Sequence, residues 1–309
     1  MGHALRSVTR IAFAGAVALM ICGSNSAAHH GPEEMIAKFT AKMNADGKTP
    51  VLLYKRATEY RILAAYEKAS GDLLAAIELS PEFAGAWEML AEIRMAQDRF
   101  KEAEQAAMKG IEVSAGRERA GCRMMLARVL RCAGREQEAL NACNAAFEEF
   151  VGRDIDWYLI RGALQRRLGQ HTERIADFQA GYEATRSTVL KIALLEARIE
   201  AGQAEDVLPE INRQLEASRL KSSWWLRRAR ALLALGKDSE AREDLGAAIA
   251  ELNTRIRSKR PDVTLVADRG LAEALLGNKG AAERDLTLAR KHGATDWMVE
   301  LLVEKLRAL

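Results

Sequence analysis

Little in this chain bends, staples or alternates. Only five of its 309 residues are proline, 6% are aromatic, and nowhere do Val, Ile and Thr alternate with polar residues over the length of a strand. A β-sandwich or barrel is excluded on that ground. The four cysteines, Cys22, Cys122, Cys132 and Cys143, show no Cys-x-x-Cys spacing, so no structural zinc site is implied. Also missing are His-Glu-x-x-His, Gly-x-Ser-x-Gly, a phosphate-binding loop ending in Gly-Lys-Ser/Thr and a dinucleotide fingerprint. The reading is therefore a non-enzyme with no cofactor. What is abundant is Ala, Leu, Glu and Arg, in a chain that is 49% apolar. That composition favours an all-α fold with a sizeable core.

The first thirty residues differ from the rest. Arg6 and Arg10 precede the apolar run Ile11 to Cys22, and small residues follow at Ser26 and Ala28. This is the pattern of a secretory signal peptide over residues 1–28, with cleavage expected after Ala28. The run falls well short of the roughly 20 residues that cross a bilayer. Lipidation at Cys22 fits poorly, because Ile21 stands where a small residue belongs. The expected location is exported, periplasmic or secreted. Losing Arg6 and Arg10 with no acidic residue lowers the formal charge from +3 to +1, which argues against a nucleic-acid partner. No later segment has transmembrane length and apolarity.

From Pro50 onward a helix-turn-helix pattern recurs at close to 34 residues. In the clearest copy, residues 50–83, Leu53, Ala57, Tyr60, Ala69, Leu73, Ala76 and Pro81 occupy repeat positions 4, 8, 11, 20, 24, 27 and 32. Positions 4, 8 and 11 share one face of a first helix, and 20, 24 and 27 share the facing stripe of a second. Small residues at 8 and 20 allow close approach. Later copies carry Ala91 and Ala103, Ala127 and Ala139, Gly162, Ala229 and Ala241, and Gly270 and Ala282, while the fifth keeps Leu195, Gly202, Val207 and Ile211. Arg174 stands in the fourth where alanine is expected, and Pro209 sits early in a second helix of the fifth. That helix is expected to kink. The second helix of the sixth copy is expected to run on toward Lys259, ahead of Pro261. Residues 29–49 form an N-terminal segment with a capping helix that opens at Pro32, and 294–309 form a C-terminal capping helix.

These positions resemble those of tetratricopeptide repeat (TPR) proteins, over about seven repeats spanning residues 50–293. The resemblance implies an all-α solenoid of helix-turn-helix repeats forming a right-handed superhelix. It further implies a concave groove lined by positions 2, 5, 6, 9, 12 and 13 of the first helices, serving as a non-catalytic protein-protein interaction scaffold. Mapped on this sequence, the groove collects Arg128, Arg131, Arg166, Arg167, Arg227 and Arg230, flanked by Glu88, Glu92, Glu196 and Glu200, with Tyr54, Met89, Met95, Met124 and Met125 as apolar contacts. Such a groove suits a protein or peptide partner of acidic character, held by guanidinium forks. The carboxylate clamp of TPR co-chaperones is not matched, since Tyr54 and Thr58 stand where lysine and asparagine would be needed.

A reading from another class is an exported copper- or nickel-handling protein using His29 and His30 at a mature N-terminus. Cys122 and Cys143 fall where they could meet across a helix pair, either as a disulfide or as two buried thiols. Trp87, Trp157, Trp224, Trp225 and Trp297 lie at or beside packing positions and read as core aromatics.

Overall fold

The computed structural model describes residues 31–150 and 154–309, apart from the side chains of 296 and 297. Among them are sixteen helices and no strand. The architecture is an α-solenoid of helical repeats, as the 34-residue spacing implied. The chain divides into two compact units, one ending at Lys191 and one running from Ile192 to Leu309. The first unit holds α1 (Pro32–Asp46), α2 (Pro50–Ile62), α3 (Tyr66–Leu79), α4 (Ala84–Ala96), α5 (Phe100–Val113), α6 (Gly116–Cys132), α7 (Glu136–Glu149), α8 (Ile155–Arg167) and α9 (His171–Thr185). The boundary falls within α10 (Thr188–Glu200). Beyond it come α11 (Ala204–Ala217), α12 (Ser222–Ala234), α13 (Asp238–Arg255), α14 (Val263–Leu275), α15 (Lys279–Lys291) and α16 (Asp296–Arg307).

Small residues decide how closely paired helices approach. Ala57 and Ala69, Ala91 and Ala103, Ala127 and Ala139, and Ala229 and Ala241 are all fully buried, while Leu53, Leu73 and Leu245 fill the space around them. The fourth repeat solves the same problem differently. Arg174 is buried there with its guanidinium 5.5 Å from the centre of the Phe178 ring, and a side-chain carbon added at Gly162 would fall 2.2 Å from Phe178. Glycine makes room for a ring that alanine would displace. α11 continues through Pro209 to Ala217, and α13 stops at Arg255, four residues short of the expected Lys259.

Each turn from first to second helix needs one residue in the left-handed region. Gly134, Gly169, Gly202, Gly236 and Gly277 supply it at φ between 71° and 85°, but Ala64 and Asp98 take the same place at φ 54° and 59°.

A polar brace appears that the apolar template did not show. At repeat positions 7 and 23, Arg56 and Asp72 form a two-pronged pair at 2.7 Å on both prongs. Arg228 and Asp244 do so at 2.7 and 2.6 Å, and Arg269 and Asp285 at 2.9 and 2.7 Å. Arg161 and Asp177 pair at the same positions. In three cases the free prong reaches the helix before: Arg56 donates to Thr40, Arg228 to Asn212 and Arg269 to Asn253. Each such arginine ties three helices together, and its bond to the aspartate raises the guanidinium pKa. In the second and third repeats the same two positions hold Leu90 with Ala106 and Leu126 with Ala142.

Candidate functional site

The first helices of successive repeats present a common face in each unit. In the first unit it begins on α2, where Val51, Tyr54, Thr58 and Ile62 fall on one side at helical spacing. Val51 and Ile62 are more than half exposed, at 53% and 58%. The Tyr54 ring packs 5.1 Å from Phe83, and burial, with the Glu88 charge adding to it, raises the phenol pKa. Next to this stripe, repeat position 2 is glycine twice running. A carbon at Gly85 would lie 3.7 Å from the Tyr54 ring, and one at Gly121 would lie 3.5 Å from a Glu88 carboxylate oxygen. No side chain from either glycine covers Tyr54 or Glu88.

The charged groups on this face divide into spent and unspent. Glu92 is taken by Arg61 at 2.8 Å, and Arg167 by Glu136 at 2.7 Å. Arg128 and Arg131, half-buried on α6, form no hydrogen bond or ion pair among the described residues. Glu88 forms none either. Its carboxyl is pushed above the usual range by burial, and Arg128 is near enough to pull it back in part. An acid and a base therefore stand on adjacent helices with a gap between them.

In the second unit the arginines are spent. Arg227 meets Glu196 at 2.8 Å, donates to the Ser223 carbonyl and lies 5.2 Å over the Trp224 ring. Arg230 binds both Glu196 and Glu200. The six arginines mapped from sequence thus fall into two groups in two units, and Arg166 is half-buried on α8. Met89, Met124 and Met125 are buried in the core, which removes them from the face, while Met95 packs against the first core cluster. Sequence mapping missed the exposed Val51 and Ile62, the two glycines and the pairing of Arg227 and Arg230. The glycines were legible as a repeated position 2.

Cys122 and Cys143 are separate buried thiols, each with its pKa pushed up to about 12 by burial, and Cys132 is exposed. The Cys122 sulfur fills the space beside Gly110 instead of reaching Cys143. His29 and His30 lie outside the described residues, and within these no group of three or more His, Cys, Asp or Glu is arranged to hold a metal ion. Of the tryptophans, Trp224 is buried, Trp157 packs edge-on against Phe147 and Phe150, and half-buried Trp87 donates to the Pro81 carbonyl. No helix of the described residues is long and apolar enough to cross a membrane.

Among solved structures, a tetratricopeptide repeat protein from Parabacteroides merdae matches 84% of this chain and 98% of its own, at TM-score 0.62 and 18% identity. The chain has the tetratricopeptide fold. PilW, a type IV pilus biogenesis factor, matches 66% of this chain and 97% of its own, at TM-score 0.53 and 19% identity. No protein-family model and no curated protein matches the sequence.

Proposed function

We propose that this TPR protein is an exported, non-catalytic scaffold of the cell envelope that binds a protein or peptide segment on the first-helix face of its first unit. The observation that carries the reading is the state of Arg128 and Arg131. Half-buried guanidinium groups without a partner lose hydration and gain no ion pair in return, an arrangement that a bound carboxylate would repair. Arg227 and Arg230 lack that incentive, since Glu196 and Glu200 already hold them. The exposed Val51 and Ile62 with Tyr54 suit an apolar side chain of the same segment. Glu88, which no side chain at Gly121 covers, and Arg128 suit its backbone N–H and C=O. Export rests on the leader pattern of residues 1–28.

Affinity capture from envelope extracts tests this. Wild-type protein is expected to enrich a partner that Arg128→Glu with Arg131→Glu fails to hold, at unchanged helicity by circular dichroism. The same partner retained by both proteins would refute the site.

A further inference from the structure

On α14, Asp268 occupies repeat position 6, the place Arg227 occupies on α12, so both belong to the first-helix face of the second unit. Every charged neighbour on that face is engaged except this one. Arg227 is held by Glu196, by the Ser223 carbonyl and by the Trp224 ring. Arg230 is held by Glu196 and Glu200. From α13, Arg255 is held by Glu251 and the Ser222 hydroxyl, and Asp262 is spent on the amides of Thr264 and Leu265 at the start of α14. Asp268 itself makes no hydrogen bond and no ion pair among the described residues.

The groups whose charges act on Asp268 are Arg227 from α12, Glu196 from α10, Arg255 from α13 and Asp262, which caps the start of α14. Arg227 and Arg255 pull its carboxyl back in part without bonding to it, and Glu196 and Asp262 oppose its charge. Burial is the largest influence, and the carboxyl is pushed up to about 6. A carboxylate without a hydrogen bond or ion pair is an arrangement that a bound cation would repair.

We propose that Asp268 is a recognition point for a lysine or arginine side chain of a bound polypeptide, lying along the first-helix face of the second unit. The occupant is fixed by charge: a cation can donate to both carboxylate oxygens, whereas an acidic or apolar segment would leave Asp268 unpaired beside Glu196. This site is separate from the Arg128 and Arg131 face and stands or falls independently of it.

The test uses the full chain and two blocked pentapeptides, one with lysine at its centre and one with norleucine, followed by chemical-shift titration at several pH values. The lysine peptide should bind saturably at pH 7.5, at least tenfold more tightly than the norleucine peptide. Its affinity should fall toward tenfold per pH unit below about 6, as Asp268 takes up its proton. Asp268→Asn should abolish both the preference and the pH dependence. Equal binding of the two peptides, or a preference that survives in Asp268→Asn, would overturn the proposal. The wild-type pH profile decides the matter even if the variant folds poorly: binding that stays flat between pH 7.5 and 5 rules out Asp268 as the contact.

Discussion

Two residues are held in states that a single substitution should relieve. Ala64 adopts the left-handed conformation that glycine supplies in five other turns, so Ala64→Gly should raise stability by about 1 kcal/mol, read as a higher denaturation midpoint. A loss of stability would mean that the Ala64 side chain contributes more than its strain. Asp268 is the second case. Its folded-state pKa lies above the ordinary 3.8, so the fold favours the protonated acid. The associated stability is present below the unfolded value and is lost as pH rises through about 6. Asp268→Asn should therefore stabilise the protein at pH 7.5 by on the order of 2 kcal/mol and leave it unchanged near pH 3.5, as urea denaturation at the two pH values would show. Neither strain was visible from residue type alone. Ala64 was legible only in principle, since glycine stands at position 15 in five of the other repeats.

At the scale of helices, six of the seven repeats use one of two solutions at positions 7 and 23. One is a buried Arg–Asp fork, as in Arg228 with Asp244, and the other is Leu with Ala, as in Leu126 with Ala142. Breaking a fork should cost far more than replacing it. Arg228→Leu strands an aspartate whose side chain is 6% exposed and should destabilise by about 3–5 kcal/mol, whereas adding Asp244→Ala should restore most of that loss. Comparing denaturation of the single and double variants checks this, and a double variant as unstable as the single would show that the two solutions are not equivalent. The fork was legible in principle as arginine followed sixteen residues later by aspartate. It was overlooked because a template of apolar positions is blind to a polar pair that packs like an apolar one. The helices themselves were legible, since small residues such as Ala57 and Ala69 mark where backbones must approach. Arg174 was read as a weak point, and only the structure reveals Gly162 and Phe178 repacking around it.

For the whole molecule, the sequence spacing sufficed for the fold and fell short for the site. Repeat positions specify which side chains share a face. Whether an arginine there is spent depends on an acid one repeat away, as Glu136 takes Arg167 and Glu196 takes Arg230 while Arg128 and Arg131 are left over. Two arginine pairs that look alike in sequence therefore differ in the structure: Arg227 and Arg230 are tied to acids of the fold, and Arg128 and Arg131 are not. The measurement that bears on this most directly takes Arg128→Glu with Arg131→Glu and Arg227→Glu with Arg230→Glu, and follows both binding of the captured partner and thermal stability. The first pair should lose binding at least a hundredfold with stability changed by no more than about 1 kcal/mol. The second should melt early, by about 3–5 kcal/mol, because it leaves Glu196 and Glu200 facing like charges, yet it should still bind the partner wherever it remains folded. Binding lost only from the Arg227 and Arg230 variant, or lost equally from both, would contradict the account.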